Sequence, residues 1–256
     1  MKKVLTVVIV TATCAAAAWA YLGQVVGSFR SPAGTQTRGL ARSRMYLFVA
    51  DAGNRGIVYR LIPSTGSVQN FYQLGWYGSN AGLAYSDSAV LWVGCPANDY
   101  VYRCHAPSGS LYGSWYAYHD PYGCAPLCTG DGGTGTTYLF TSDTGPPDIF
   151  THRLTGGSVV RSIRVPYPTD YDCAYDWRNR VVWLGDSPNV VYGYTLTGSV
   201  LASFPSPANY PRGLTYYGQY LYVACNGNGY IYRIHCPYNF VAVAPTSLGK
   251  VKALLR

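Results

Sequence analysis

Apolar and polar positions fall into a pattern that this chain repeats. The stretch "GLTYYGQYLYVACNGNGYIYRIHC", residues 213 to 236, holds two short apolar runs around a turn of Asn and Gly. "GLAYSDSAVLWVGCPANDYVYRCHAPSG", starting at Gly82, has the same layout much earlier in the chain. A small marker recurs after each apolar pair, as Gly23-Gln24-Val25, Gly66-Ser67-Val68, Gly109-Ser110-Leu111, Gly157-Ser158-Val159 and Gly198-Ser199-Val200. Each opens a strand of the "SVLASF" kind. A loop with Pro or Tyr follows, then Gly-Leu or its equivalent, then two more apolar strands. Four short strands at a period of about 40–50 residues predict a β-propeller blade. A four-stranded sheet with two apolar faces cannot bury both alone, and packing such sheets around an axis covers them. The expected fold is therefore all-β, a five-bladed propeller of four-stranded blades.

The pattern also orders the strands from the axis outward. The inner strand follows the Gly-Leu position, at Leu40, Leu83, Cys124, Cys173 and Leu214. The second strand is "MYLFVA" and its equivalents, the third is "IVYRL" and its equivalents, and the marker segment is outermost. In this phase the first marker strand, Gln24 to Phe29, has no blade before it. It is expected to complete the last blade and close the ring. "NFVAVA", residues 239 to 244, occupies the same phase and is the competing closure.

The "GL…YLYVA…N…IYRI…TG" layout resembles the NHL and YVTN-type propeller repeats of secreted bacterial proteins, over about residues 24 to 243. The resemblance implies the architecture and an extracytoplasmic setting. It implies no particular activity, because the fold hosts many unrelated functions.

Composition agrees with β structure. There are 26 Tyr and 29 Gly. All eleven acids are Asp, and beyond Ala20 the lysines are Lys250 and Lys252. Tyr favours strands and Gly favours turns, whereas the helix formers Glu and Lys are nearly missing. Residues 1–20 read as a signal peptide: Lys2 and Lys3, an apolar run over residues 4–12, and Ala18-Trp19-Ala20 as the cleavage site. Cys14 fits a lipidation site poorly, with Thr13 before it and Thr11 where Leu is usual. Residues 21–244 are the expected propeller domain, and "APTSLGKVKALLR" leads into a basic tail, 245–256. No segment reads as a transmembrane span. Formal charge is +8, or +6 once Lys2 and Lys3 are removed, carried by scattered Arg without a basic stripe. With export, this argues against nucleic acid as a partner.

Several groups are candidates for chemistry. The second strands end at Asp51, Cys95, Asp143, Asp186 and Cys225, where an Asp either caps the next turn or faces a cation. Seven cysteines remain after Cys14, an odd number, with disulfide pairing open. "TGDGGTGTT", residues 129 to 137, lacks the Gly-Lys-Ser/Thr ending of a phosphate loop. It reads as an enlarged connection in blade 3, inside the longest interval between markers, Gly109 to Gly157. His105, His152 and His235 fall on or just after third strands and His119 in a loop, so no catalytic or metal-ligating constellation is expected, and no cofactor. The absence of Glu counts against a glycosidase carboxylate pair without excluding one built from Asp.

The expected binding face is the one built from loops between an outer strand and the next inner strand. It would carry Trp76, Tyr77, Tyr118, His119, Tyr122, Tyr167, Tyr171 and Tyr210, with Arg38 and Arg212 beside the channel mouth. Tyr and Trp offer flat apolar faces with a polar tip, and Arg a planar donor fork. The functional expectation is an exported, non-catalytic propeller of the cell envelope or surroundings that binds a glycan, a peptide or a cell-surface protein. The alternative is a lyase or glycosidase with an Asp-based site at the channel.

Overall fold

The computed structural model describes residues 22–53, 56–74, 81–143, 148–167, 172–186 and 189–237. Residues 1–20, read above as a signal peptide, the competing closure segment 239–244 and residues 245–256 lie outside them, as do Trp76, Tyr77 and Tyr171. Five four-stranded antiparallel sheets form a propeller, with no α-helix among the described residues.

Blade 1 runs from inner β2 (Thr37–Arg42) through β3 (Leu47–Asp51) and β4 (Ile57–Leu61) to outer β5 (Val68–Gln73). Blade 2 is β6 (Leu83–Ser86), β7 (Val90–Cys95), β8 (Tyr100–His105) and β9 (Leu111–Tyr116). Blade 3 is β10 (Gly123–Leu127), β11 (Tyr138–Ser142), β12 (Asp148–Arg153) and β13 (Val159–Arg164). Blade 4 is β14 (Cys173–Asp176), β15 (Val181–Asp186), β16 (Val190–Thr195) and β17 (Val200–Pro205). Blade 5 holds β18 (Pro211–Tyr217), β19 (Tyr220–Cys225) and β20 (Tyr230–His235). Its outer strand is β1 (Val25–Arg30), paired antiparallel with β20 from Val25↔Ile234 to Arg30↔Tyr230. The orphan first marker strand thus closes the ring.

Second strands are buried along almost their whole length, because a neighbouring blade covers each face. Outer strands are mostly exposed and turn inward chiefly the fifth residue: Tyr72, Trp115, Ile163 and Phe204, with Phe29 half-buried at the same place in β1. This residue explains the glycine of the marker. A Cβ on Gly66 would meet Phe29 at 2.4 Å, on Gly109 Tyr72 at 2.9 Å, on Gly157 Trp115 at 1.9 Å and on Gly23 Phe204 at 3.0 Å. A Cβ on Gly198 would meet Ile163 at 3.2 Å. Each marker glycine therefore receives the anchor of the preceding blade, around the whole circumference. All five also have positive φ, between 65° and 90°, where a Cβ is strained.

A second ring lies at the axis. Gly39, Gly82, Gly123 and Gly213 hold the place before the innermost apolar residue, and a Cβ on Gly39 or Gly82 would lie 2.2 or 2.4 Å from neighbouring backbone. Asp172 occupies the fifth such place and is fully buried. Its Oδ2 accepts the N–H groups of Leu40 (2.9 Å) and Leu214 (3.1 Å), and its Oδ1 those of Cys124 and Cys173 (both 3.0 Å). One side chain thus ties together the inner strands of blades 1, 3, 4 and 5. Burial pushes this carboxyl well above its usual value, against the pull of the four N–H donors. Each oxygen already accepts two N–H bonds, so a proton would have to displace a donor, and the hydrogen bonding favours the ionised form against the pull of burial.

The 129–137 segment is the connection between β10 and β11, with a 3-10 turn at Asp131–Gly133. It crosses the end of the channel away from Asp172. Asp131 accepts from Trp177 Nε1 (2.9 Å), Arg178 Nη2 (3.0 Å) and Gly218 N–H (2.9 Å). On the other side Asp87 accepts from Gly135 N–H at 3.0 Å. The space left between this loop and the inner strands is about 20 Å³, room for about one water. The seven cysteines of the propeller are all buried and form no disulfide with one another. Cys104 lies opposite Leu91, as the hairpin count requires.

Two outcomes are expected. Asp172→Asn keeps the shape but aims an NH2 group at backbone donors. Leaving two of them unsatisfied should cost about 3 kcal/mol or more, read as a lower denaturant midpoint at an unchanged slope. Deleting residues 24–29 bares the edge of β20 and should abolish cooperative thermal unfolding. An unchanged transition would show that another segment covers that edge.

Candidate functional site

The loops from each outer strand to the next inner strand emerge on one face, together with the turns between second and third strands. Among the described residues this mouth face carries Arg38, Tyr118, His119, Tyr122, Tyr167, Tyr210 and Arg212. Arg38 and Arg212 are the extra residues of β-bulges, in the shifts between Thr37 and Gly39 and between Pro211 and Gly213. A bulge takes its residue out of the ladder and re-aims the side chain. The Arg212 guanidinium lies 5.9 Å from the Tyr210 ring centre, and its carbonyl accepts the Asp172 N–H at 3.0 Å. Ala81, at the equivalent place in blade 2, is buried. Tyr167 stacks on Tyr192 at 4.5 Å and 18°.

The densest group lies where blade 2 hands over to blade 3. Tyr118 is 84% exposed and has φ 62°. Its ring stands edge-on to Tyr116 at 4.8 Å, and Tyr116 in turn meets Tyr100 at 5.6 Å. The Tyr116 hydroxyl donates to Asp99 Oδ2 at 3.2 Å, which pushes its pKa up. Asp120 lies beside Asp99 and in the field of Asp143. Burial first, then Asp99, raises its pKa. Asp99 itself has φ 60°, and Tyr210, across the face, has φ 58°. Three of the five left-handed non-glycine residues described thus belong to this face, the other two being Ala89 and Arg180 in turns of the opposite face.

Beneath Tyr118 the loop is pinned by histidines. His119 stacks on Phe150 at 4.2 Å and 13°. Its Nε2 lies 3.1 Å from His152 Nε2 and 3.0 Å from Thr141 Oγ1, which is 2.8 Å from His152 Nε2. His152 Nδ1 sits 2.8 Å from the Gly157 carbonyl and donates to it. Its Nε2 is then an acceptor, served by the Thr141 hydroxyl, while His119 Nε2–H donates into the same triangle. Burial, and then His152, drives His119 down to about 4, and burial lowers His152. Both rings are neutral at pH 7.

The sequence pattern puts His119 on the mouth face and separates it from the other histidines. The fold keeps it in that loop but half-buries it, and brings it to His152, because this loop runs directly onto blade 3. Asp99, Asp120, Tyr116, Thr141 and His152 join the site without having stood out in the sequence. Asp120 is within reach of sequence reasoning, since it sits in the same predicted loop as Tyr118. Asp172 is visible as the one Asp in a column of glycines. Asp51 caps its turn through Gly53 N–H at 2.8 Å, one of the two readings of that position.

No protein-family model and no curated protein matches the sequence. Among solved structures, the chain is similar to Myxococcus xanthus glutaminyl cyclase, with a TM-score of 0.69 and 14% identity over 83% of this chain and 95% of that one. It is also similar to the Cps50 (Swd1) β-propeller domain of Myceliophteria thermophila, with a TM-score of 0.54 and 10% identity over 84% of this chain and all of that one. At such identities the likeness is one of fold.

The histidine pair makes stability depend on pH with a definite sign. Both folded-state values lie below the usual 6.5. The unfolded chain therefore takes up protons first as pH falls, and stability present above about 6.5 is lost toward pH 4. Thermal melts between pH 7.5 and 4 should fall by several degrees more in the parent than in His119→Asn. Parallel curves would show that the pair does not titrate with unfolding.

Proposed function

We propose that this propeller is an exported, non-catalytic binding protein that takes a carbohydrate chain on the mouth face, at the junction of blades 2 and 3. The observation that carries this reading is Tyr118. A non-glycine residue at positive φ costs about 1–2 kcal/mol, and backbone strain of this kind concentrates at binding sites. Here it holds a ring 84% exposed. A sugar offers a C–H face and an edge of hydroxyls. The Tyr116–Tyr118 pair supplies an apolar surface for the first, and the Asp99–Asp120 carboxyls supply acceptors for the second. Tyr210 beside Arg212 repeats the arrangement of an exposed left-handed Tyr across the channel mouth, giving an extended chain a second contact. Export rests on the signal peptide read from residues 1–20.

A catalytic reading has one observation in its favour: Asp120, raised by burial and by Asp99, is the arrangement from which a general acid is made. Asp172, the carboxylate on the axis, is unsuited to that task because both its oxygens are filled.

A glycan array with the mature protein separates these readings. Tyr118→Gly should lower affinity for the glycans bound by the parent at least tenfold. It should leave thermal stability equal or higher, since Gly accepts this φ without strain. Parental binding by Tyr118→Gly would place the ligand elsewhere. Cleavage of a bound glycan, abolished in Asp120→Asn while binding persists, would make the protein an enzyme.

A further inference from the structure

The face opposite the mouth carries a cavity of about 440 Å³ between blades 1 and 2, within the range of about 300–1,000 Å³ typical of small-molecule sites. One wall is the Phe48–Tyr85 pair, stacked at 5.6 Å and 11°. Another is Tyr46, with the Arg60 guanidinium 4.6 Å from its ring centre. The Ser43–Tyr46 turn is tied on itself, Ser43 N–H donating to the Tyr46 carbonyl at 2.9 Å and Tyr46 N–H to Ser43 Oγ at 2.9 Å. That turn sets Arg44 and Met45 at the rim, both exposed.

The inner wall is the glycine-rich blade 3 loop, which the mouth face does not use. Gly133 has φ 75°, and a Cβ there would lie 2.1 Å from the Tyr85 carbonyl oxygen. A Cβ on Gly132 would lie 3.2 Å from Arg44 N. The absence of side chains lets this loop press against both blades and leaves the cavity open beside it. Asp87, the one acid of the lining, holds the loop through Gly135 N–H. Against Asp87, Arg44 and Arg60 leave an excess of one positive charge beside an aromatic wall.

We propose that this cavity is a second binding site, for a small planar aromatic carboxylate. The ring lies against Tyr85, which the buried Phe48 backs, and the carboxylate meets the guanidinium groups of Arg60 and Arg44. The Tyr46 ring beside it attracts the Arg60 guanidinium, whose planar fork suits a carboxylate better than a Lys would. This site is independent of the reading of the mouth face.

Isothermal titration of the mature protein with 2-naphthoate and with its neutral analogue 2-naphthylmethanol is the test. The acid should bind one to one, and the alcohol at least tenfold more weakly. Arg60→Met and the exposed Arg44→Met should each weaken the acid at least fivefold at a parental melting temperature, whereas Tyr118→Gly should leave it unchanged. The proposal is overturned if neither compound binds, if the alcohol binds as well as the acid, or if both Arg variants bind as the parent does.

Discussion

The carboxylate of Asp172 is the interaction on which the rest of this propeller depends. The inner strands of this propeller turn buried backbone N–H groups toward the axis, and buried donors without partners are costly. Here four of them converge on one anion. The charge is stabilised by fixed backbone dipoles, with no buried cation required. The neighbouring thiols of Cys124 and Cys173 are pushed upward, by burial first and by Asp172 next, and remain neutral. The axis is therefore a seam of the scaffold.

What the axis does for the inner strands, the marker glycines do at the rim. Each accepts the anchor residue of the blade before it, so blade-to-blade spacing is fixed at two radii. The inner ring is polar and specific, one anion against four donors. The outer ring is apolar and repeated, with Tyr, Trp, Ile and Phe in the same role. Loops are then free to differ between blades, and the unlike faces of the molecule reflect this: strained tyrosines on one, a glycine-rich crossing loop on the other.

Blade number, strand order and ring closure are legible in the sequence because each is written as a period or a phase, and burial acts on every repeat alike. The marker glycines are visible for the same reason, although their purpose needs the packing partner. Features that occur once are harder. Asp172 breaks a column rather than forming one. His119 reads as an exposed loop residue, but a loop's direction is set by where it packs, and its partners Phe150 and His152 belong to the next blade. Left-handed tyrosines leave no mark in a sequence, since side-chain type does not reveal that surrounding structure forces φ positive. The cavity between blades 1 and 2 draws its inner wall from blade 3, a combination that no local pattern encodes.

The pairing of β1 with β20 joins the first described strand to the last, with every other blade lying between them in the chain. A chain synthesised from its N-terminus presents β1 long before its partner arrives. Blades 1 to 4 can each complete their own sheet as they emerge, whereas the circle stays open until the fifth is present. The molecule is then an arc with one unpaired strand at each end, and joining them is the step of highest loop-closure entropy. Any chain stopped short of β20 keeps β1 without its partner, an unpaired strand open to pairing with another chain.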